Sequence, residues 1–332
     1  MKYLRNGFLG LLSLLVIGVI VGVAGVAYII SYYSKDLPDY SQLRNYEPPI
    51  VTRLYAGDGR FLAEFAEEKR IFIPIESIPD IIKNAFIAGE DKNFYKHSGI
   101  DFVATARALI TNLRNKGTGK RSQGASTITQ QVAKNFFLSN ETTYERKIRE
   151  AILSYKMTQM MSKDHILELY LNQIFLGGGA YGVAAAAEHY FNKSLEELTI
   201  AEAAYLAALP KAPNNYHPVH NHDKAVERRH YVIGRMQEDG YITRAQAELA
   251  IASPLVMAKR DENAVVDAPF FAEEVRRELG EKYGQESLYT GGLVVKTSVD
   301  PKLQDIAERT LREGLMAYDT RHGWRGPIAK LE

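Results

Sequence analysis

Two glutamates, Glu90 and Glu150, bound a stretch crowded with amides, hydroxyls and cations. It reads EDKNFYKHSG at 90–99, QGASTITQQVAKN at 123–135 and YERKIREA at 144–151. Carboxylates in a polar, cationic groove suit work on a sugar bond beside a phosphate, one moving a proton and the other serving the leaving group. Glu90 closes an apolar-periodic helix and is followed by Asp91, Phe94 and His97. A helix C-terminus disfavours negative charge, and partial burial raises a glutamate pKa, which is the direction a base near neutrality needs. An isolated Glu-Asp pair is nonetheless more often a solvated helix end.

Glu150 has firmer local support. On a helix, Arg146 lies four residues before it and Lys147 three before it, so both cations share its face. An ordinary surface ion pair has the same spacing. The functional reading is that the cations hold a diphosphate while the carboxylate binds a metal or helps the leaving group depart. Between the two acids, STITQQVAKN sets Ser126, Gln130, Gln131 and Lys134 on about two turns of helix. Gln130 with Lys134 and Gln131 with Lys134 have helical spacing, so amide donors and an ammonium can converge on one ligand.

The elements that must position these residues can be read outward from them. At 332 residues with 46% apolar side chains, the chain suggests about two domains. A net charge of +1 argues against a globally basic nucleic-acid binder, and the absence of cysteine removes disulfides and thiolate zinc sites. Phe8 to Ile30 is apolar apart from Ser13 and glycines, and would span roughly 35 Å as a helix. Lys2 and Arg5 precede it and no cation follows until Lys35, which places the N-terminus in the cytoplasm and the remainder outside. Its length favours an uncleaved anchor over a signal peptide.

Residues 31–50, with Pro38, Pro48 and Pro49, read as a connector. VTRLY and RFLAEF around Gly57, Asp58 and Gly59 predict a short hairpin. From Ile78 to about Ala250 the pattern is helical, with capping-box spacing at Thr142 and Glu145, Ser194 and Glu197, and Thr199 and Glu202. RNKGTGKRSQG at 114–124 interrupts it as an expected mobile basic loop. The apolar residues from Phe102 to Ile110 read as core or as a face that dips into a membrane interface, with core the commoner case. After Ile251 a strand, GGLVVKTSV at 291–299, and a helix from Asp300 open a second unit that reads as truncated inside a domain.

Three patterns mislead. GGGAYG at 177–182 fits a dinucleotide fingerprint in spelling but follows a helical pattern, so its glycines are expected to end a helix. GTGKRS lacks the spacing of a Walker loop. His217, His220 and His222 suggest metal, yet with prolines nearby and no added carboxylate they read as a loop at a domain end.

The blocks around Glu90, Gln131 and Glu150 together closely resemble motifs of the peptidoglycan glycosyltransferase domain of class A penicillin-binding proteins. The likeness continues through SKDHILELYLNQIFLGGGAYGVAAAAEHYF at 162–191 and LTIAEAAYLAALPKAPNNYHP at 198–218. The anchor, APFFAEEVRREL and YTGGLVVKTSVDPKLQ look like the 1A-type members. The resemblance implies a mainly α, lysozyme-like domain at 51–250. Before it come a cytoplasmic tail at 1–7, a transmembrane helix at 8–30 and a connector at 31–50; after it, at 251–332, come an incomplete α+β linker and the start of a second domain. No SxxK occurs and KTS at 296–298 is not KTG, so the transpeptidase half of that family is not expected here.

What the resemblance implies for chemistry is polymerisation of lipid II into β-1,4 glycan with inversion and release of polyprenyl diphosphate. Glu90 matches the general base and Glu150 the second acid near the diphosphate. Ser126, Gln131, Lys134, Asn135, Arg146, Lys147 and Lys211 match cleft positions that hold phosphate or sugar, a cleft that moenomycin occupies in the family. The implied cofactor is a divalent cation such as magnesium, with no metal-ligand set legible and no organic cofactor. The implied partners are lipid II, the growing strand, the bilayer of a bacterial inner membrane and other cell-wall synthesis proteins, with no nucleic acid. Two rivals remain: a membrane-anchored muramidase, which also uses two acids, and a catalytically silent scaffold.

Overall fold

The structure, a computed structural model, describes residues 2–35, 37–46, 51–65, 69–116, 124–138, 141, 143–258, 265–323 and 326. Helix α1 runs Lys2–Tyr33, beyond the apolar stretch that predicts it. Its segment Val16–Tyr33 has a mean hydropathy of 2.0 and no part of it is buried against the protein, so it is long and apolar enough to cross a membrane. Tyr28 stacks on Tyr32, and Tyr32 meets Tyr33 edge-on, at its C-terminal end, where interfacial aromatics belong.

The hairpin forms as β1 (Thr52–Tyr55) and β2 (Phe61–Phe65), antiparallel around the Asp58-Gly59 turn. A short β3 (Lys69–Arg70) leads to the helical block: α2 (Asp80–Glu90), α3 (Phe102–Asn115), α4 (Ile128–Phe137), α5 (Tyr144–Met160) and α6 (Lys163–Gln173). Then come β4 (Ala180–Tyr181), α7 (Val183–Phe191), α8 (Ile200–Ala208), α9 (His222–Glu238) and α10 (Arg244–Ala252). Last are α11 (Pro269–Tyr283), α12 (Gln285–Thr290), β5 (Val294–Lys296) and α13 (Pro301–His322).

Beyond Glu202 in its first turn, helix α8, IAEAAYLAA, is apolar on every side, which is the pattern of a helix enclosed by others. Tyr205, Leu206, Ala207 and Ala208 are wholly buried in a core shared with Phe86 of α2, Leu153 of α5, Tyr170 of α6 and Val232 of α9. Thr199 starts α8 with the expected capping box: its hydroxyl accepts from the Glu202 N–H while Glu202 accepts from the Thr199 N–H. At Ser194 only the return half is present, with Glu197 accepting from the Ser194 N–H. The cap of α5 is Thr143, one residue after the expected Thr142, which lies outside the described residues.

Two sequence expectations change. The hairpin, assigned to the start of the helical domain, belongs instead to the C-terminal unit: β1 pairs in parallel with β5, giving the order β2-β1-β5. Leu54, Ala56 and Leu62 share a second core with Val266, Ala268, Ala272 and Val299. A pairing between residues 53 and 294 leaves no trace in local pattern. Gly177, Gly178 and Gly179 do not end α6, which stops at Gln173; all three have positive φ and turn the chain into β4. Of the basic loop expected at 114–124, residues 117–123 lie outside the described residues.

Candidate active site

The chemistry-bearing residues meet in a cavity of about 1040 Å³ between α2, α4, α5 and α9. Glu90 is the last residue of α2, and Pro79 precedes its first turn. Its side chain is 12% exposed, and its Oε2 accepts a 2.7 Å hydrogen bond from Gln131 Nε2 on α4. Burial raises the Glu90 pKa, against the opposing pull of Gln131, Arg228 and Lys211, while the neighbouring Asp91 adds to the rise.

The arrangement depends on how α4 is anchored. Thr127 caps it in a capping box with Gln130, which is therefore spent on the helix start rather than on a ligand. Asp91 supports the same end, its Oδ2 accepting the Ile128 N–H at 3.0 Å while both oxygens lie 3.0 Å from His97 Nε2. The residue after Glu90 thus ties the end of α2 to the start of α4, and Gln131 points at Glu90 as a result. Behind Asp91, Lys163 sits over the Phe94 ring at 4.5 Å, and burial pushes its ammonium down to about 8 while Asp91 pulls it up.

Gly99 makes the turn between Glu90 and α3 possible. Its carbonyl accepts the Thr127 hydroxyl at 2.6 Å, its φ is +91°, and a Cβ there would lie 2.3 Å from the Ser154 carbonyl on α5. Gly99→Ala is therefore expected to destabilise the protein by about 2–4 kcal/mol, from left-handed strain plus overpacking. Thermal unfolding checks this; an unchanged midpoint would show that the approach of α5 to this turn is not tight.

Glu150 differs from Glu90 in its partners. Its side chain is 1% exposed, with Oε2 2.6 Å from Arg146 Nη1 and Oε1 2.6 Å from Lys147 Nζ. Lys147 Nζ also donates to Ser126 Oγ at 2.9 Å, which fixes that ammonium between two walls of the cavity. Arg146 is held further by the Glu141 carbonyl. The expected face of α5 is thus present, and it is inward rather than a surface pair.

Ser126, Gln131, Lys134, Arg146, Lys147 and Lys211 all line the cavity together with the two glutamates. Asn135 does not; it is exposed on α4 beside Lys134. Ser126 precedes the first turn of α4 instead of lying within it. The histidines form a turn, with His217 Nδ1 accepting from the Val219 and His220 N–H groups.

Sequence reading missed Arg228, Lys224 and Tyr231, which bring α9 to the cavity wall. Arg228 and Arg229 are adjacent, and helical geometry sends them to different sides. Arg229 is 2% exposed and donates to the Ser253 carbonyl, while Arg228 turns to Glu90, its Nη2 3.9 Å from Oε1. The doublet was legible, but which arginine faces the cavity depends on how α9 is rotated against α8.

The described residues do not make a protein-held site for a divalent cation. No group of three His, Cys, Asp or Glu side chains converges among the described residues, and both Glu150 oxygens already carry cations.

On α3 the core reading fails. Phe102, Val103, Leu109, Ile110 and Leu113 are each more than half exposed and only Ala108 is buried, so the helix presents an apolar face to its surroundings.

Comparison with known proteins places this cavity. A family profile described as Transglycosylase matches residues 58–237. Penicillin-binding protein 1A of Rickettsia felis is 53% identical over 96% of this chain, and those of Aquifex aeolicus and Vibrio cholerae are 45% and 41% identical over 95% and 100% of it. A crystal structure of penicillin-binding protein 1A from Haemophilus influenzae aligns with a TM-score of 0.51 at 30% identity, over 86% of this chain and 32% of that one. The chain spans about two fifths of the length of these curated relatives, 41% of the Rickettsia protein. The profile match runs from the hairpin turn to the last residues of α9, taking in every wall of the cavity, and on that ground the chain belongs to the transglycosylase family.

Proposed function

We propose that the cavity polymerises lipid II, joining the 4-hydroxyl of one sugar to the anomeric carbon of a growing strand held by its polyprenyl diphosphate. The observation that carries this reading is the asymmetry of the two acids. Glu90 is buried with an amide as its direct partner and is biased toward taking a proton, whereas Glu150 is fully paired with two cations. A base and a cation-organising carboxylate facing one cavity suit a reaction that deprotonates an alcohol and expels a diphosphate.

In this scheme Glu90 removes the acceptor hydroxyl proton as its oxygen bonds to the anomeric carbon. The bond from that carbon to the diphosphate oxygen breaks on the opposite face, which inverts the configuration. Arg146, Lys147 and Lys134 take the charge that gathers on the leaving diphosphate, and Glu150 holds the first two in place. Lys211 and Ser126 line the same passage.

The substrate's lipid tail supplies the reason for α1 and for the apolar face of α3: both keep the cavity at a bilayer surface, with the N-terminus cytoplasmic and the domain outside. Introducing Asp at Leu109 and Leu113 is expected to leave the unfolding midpoint within about 2 °C, since both are exposed. The same variant should slow polymerisation of vesicle-borne lipid II several-fold. Equal rates in vesicles and in detergent would remove α3 from the membrane contact.

The deciding experiment is incubation of the purified chain with labelled lipid II in vesicles. Long glycan with released polyprenyl diphosphate is expected. Shortening of preformed glycan without polymer would favour a muramidase, and no turnover of either substrate a scaffold.

A further inference from the structure

The two oxygens of Glu90 keep different company. Oε2 is occupied by the 2.7 Å hydrogen bond from Gln131, while Oε1 has Arg228 Nη2 at 3.9 Å. That separation is too long for a hydrogen bond and short enough for charge to act in a partly buried setting. Arginine beside a carboxylate ordinarily closes to a direct contact, as Arg146 does to Glu150 at 2.6 Å. Here the guanidinium is held back: its carbon lies 4.4 Å from the centre of the Tyr231 ring, its side chain is only 11% exposed, and its buried Nε has no hydrogen-bond partner among the described residues.

A cation so placed has a distinct effect. It opposes the burial that would neutralise Glu90, yet leaves the lone pairs of Oε1 open toward the cavity. The direct double pairing seen at Glu150 would achieve the first and forfeit the second.

We propose that Arg228, braced by Tyr231, is a positioning residue that keeps Glu90 in its carboxylate form and leaves Oε1 as the oxygen that takes the acceptor's proton. This rests on the glycosyl-transfer reading above. The acceptor O–H bond breaks as its oxygen bonds to the anomeric carbon, the diphosphate leaves with its electron pair, and the proton on Oε1 returns to solvent through the cavity. The groups that act on Glu90 are Asp91 just beyond α2, Gln131 on α4, Tyr170 on α6, Lys211 after α8 and Arg228 on α9.

The test is the pH profile of kcat/KM for lipid II polymerisation by the full chain in vesicles, for wild type, Arg228→Gln, Arg228→Lys and Tyr231→Ala, with thermal unfolding in parallel. Loss of the cation raises the pH at which Glu90 ionises, so the acid limb of Arg228→Gln should move upward by about one pH unit. On that limb kcat/KM should fall about tenfold, with recovery at higher pH. Arg228→Lys should restore most of the limb's position, and Tyr231→Ala should displace it partway. An unmoved limb with a raised KM would make Arg228 a substrate contact and overturn the inference. So would an unmoved limb with activity lost in step with the unfolding midpoint. Wild type that makes no polymer at all would instead overturn the glycosyl-transfer reading on which this rests.

Discussion

Glu90→Gln should lose polymerisation by about 10²- to 10⁴-fold, the usual contribution of a positioned general base, and should be at least as stable as the wild type. The two halves of that expectation share one cause. Burial disfavours the ionised form of Glu90, so its pKa in the folded protein lies above that of the unfolded chain, about 4.3. For an acid shifted in this direction, folding is unimpaired while the group is protonated in both states. Stability is lost as pH rises above the unfolded value, because the folded state resists ionisation, and the loss is complete once pH passes the folded value. At neutral pH the carboxylate is therefore a functional burden on the fold. Glutamine has the same shape, keeps an acceptor for Gln131 Nε2 and removes the charge. Thermal unfolding at pH 5 and pH 8, beside a polymerisation assay, checks both halves. A midpoint that falls at pH 8 would contradict the strained-base account, and retained turnover would remove Glu90 from the mechanism.

Glu150→Gln is expected to fail differently, losing stability and activity together. The carboxylate is 1% exposed and is the direct partner of two cations at 2.6 Å, one of them only 12% exposed. Neutralising one member of a buried ion cluster leaves like charges facing each other in a poorly solvated place. The expected cost is about 2–3 kcal/mol, below the 3–5 typical of fully buried pairs, because Lys147 remains 47% exposed. For a protein of this size that is a fall in midpoint of about 4–12 °C. Activity should drop by at least about 10²-fold, since Arg146 and Lys147 lose the geometry that receives the diphosphate. Raising salt should recover part of the stability by screening the two cations, and none of the activity. A midpoint unchanged from wild type would show that the cluster is solvated rather than structural.

The contrast between these acids was half visible beforehand. Arg146, Lys147 and Glu150 sit at helical spacings, so their union needed only the helix that the pattern predicts, and the structure realises it. What spacing could not say is that this face points inward, because an exposed ion pair has identical periodicity. The Glu90–Gln131 contact crosses from α2 to α4, and its existence hangs on Asp91 gripping the start of α4 through the Ile128 N–H. Arg228 is more distant still, since its side of α9 is chosen by the packing of Val232 and its neighbours against α8.

Local chemistry by itself determined the long apolar N-terminal helix, the helical block, the capping box of Thr199 and Glu202, and the order of the motifs, because each depends on residues within a few turns of one another. Tertiary structure decided the rest. It moved the hairpin to the C-terminal sheet through the pairing of β1 with β5, spent Gln130 on a helix cap and left Asn135 outside the cavity. It also turned the apolar side of α3 outward and set Arg228 against Glu90. Periodicity reports that a helix has a face; only the surfaces it meets across the fold determine where that face points.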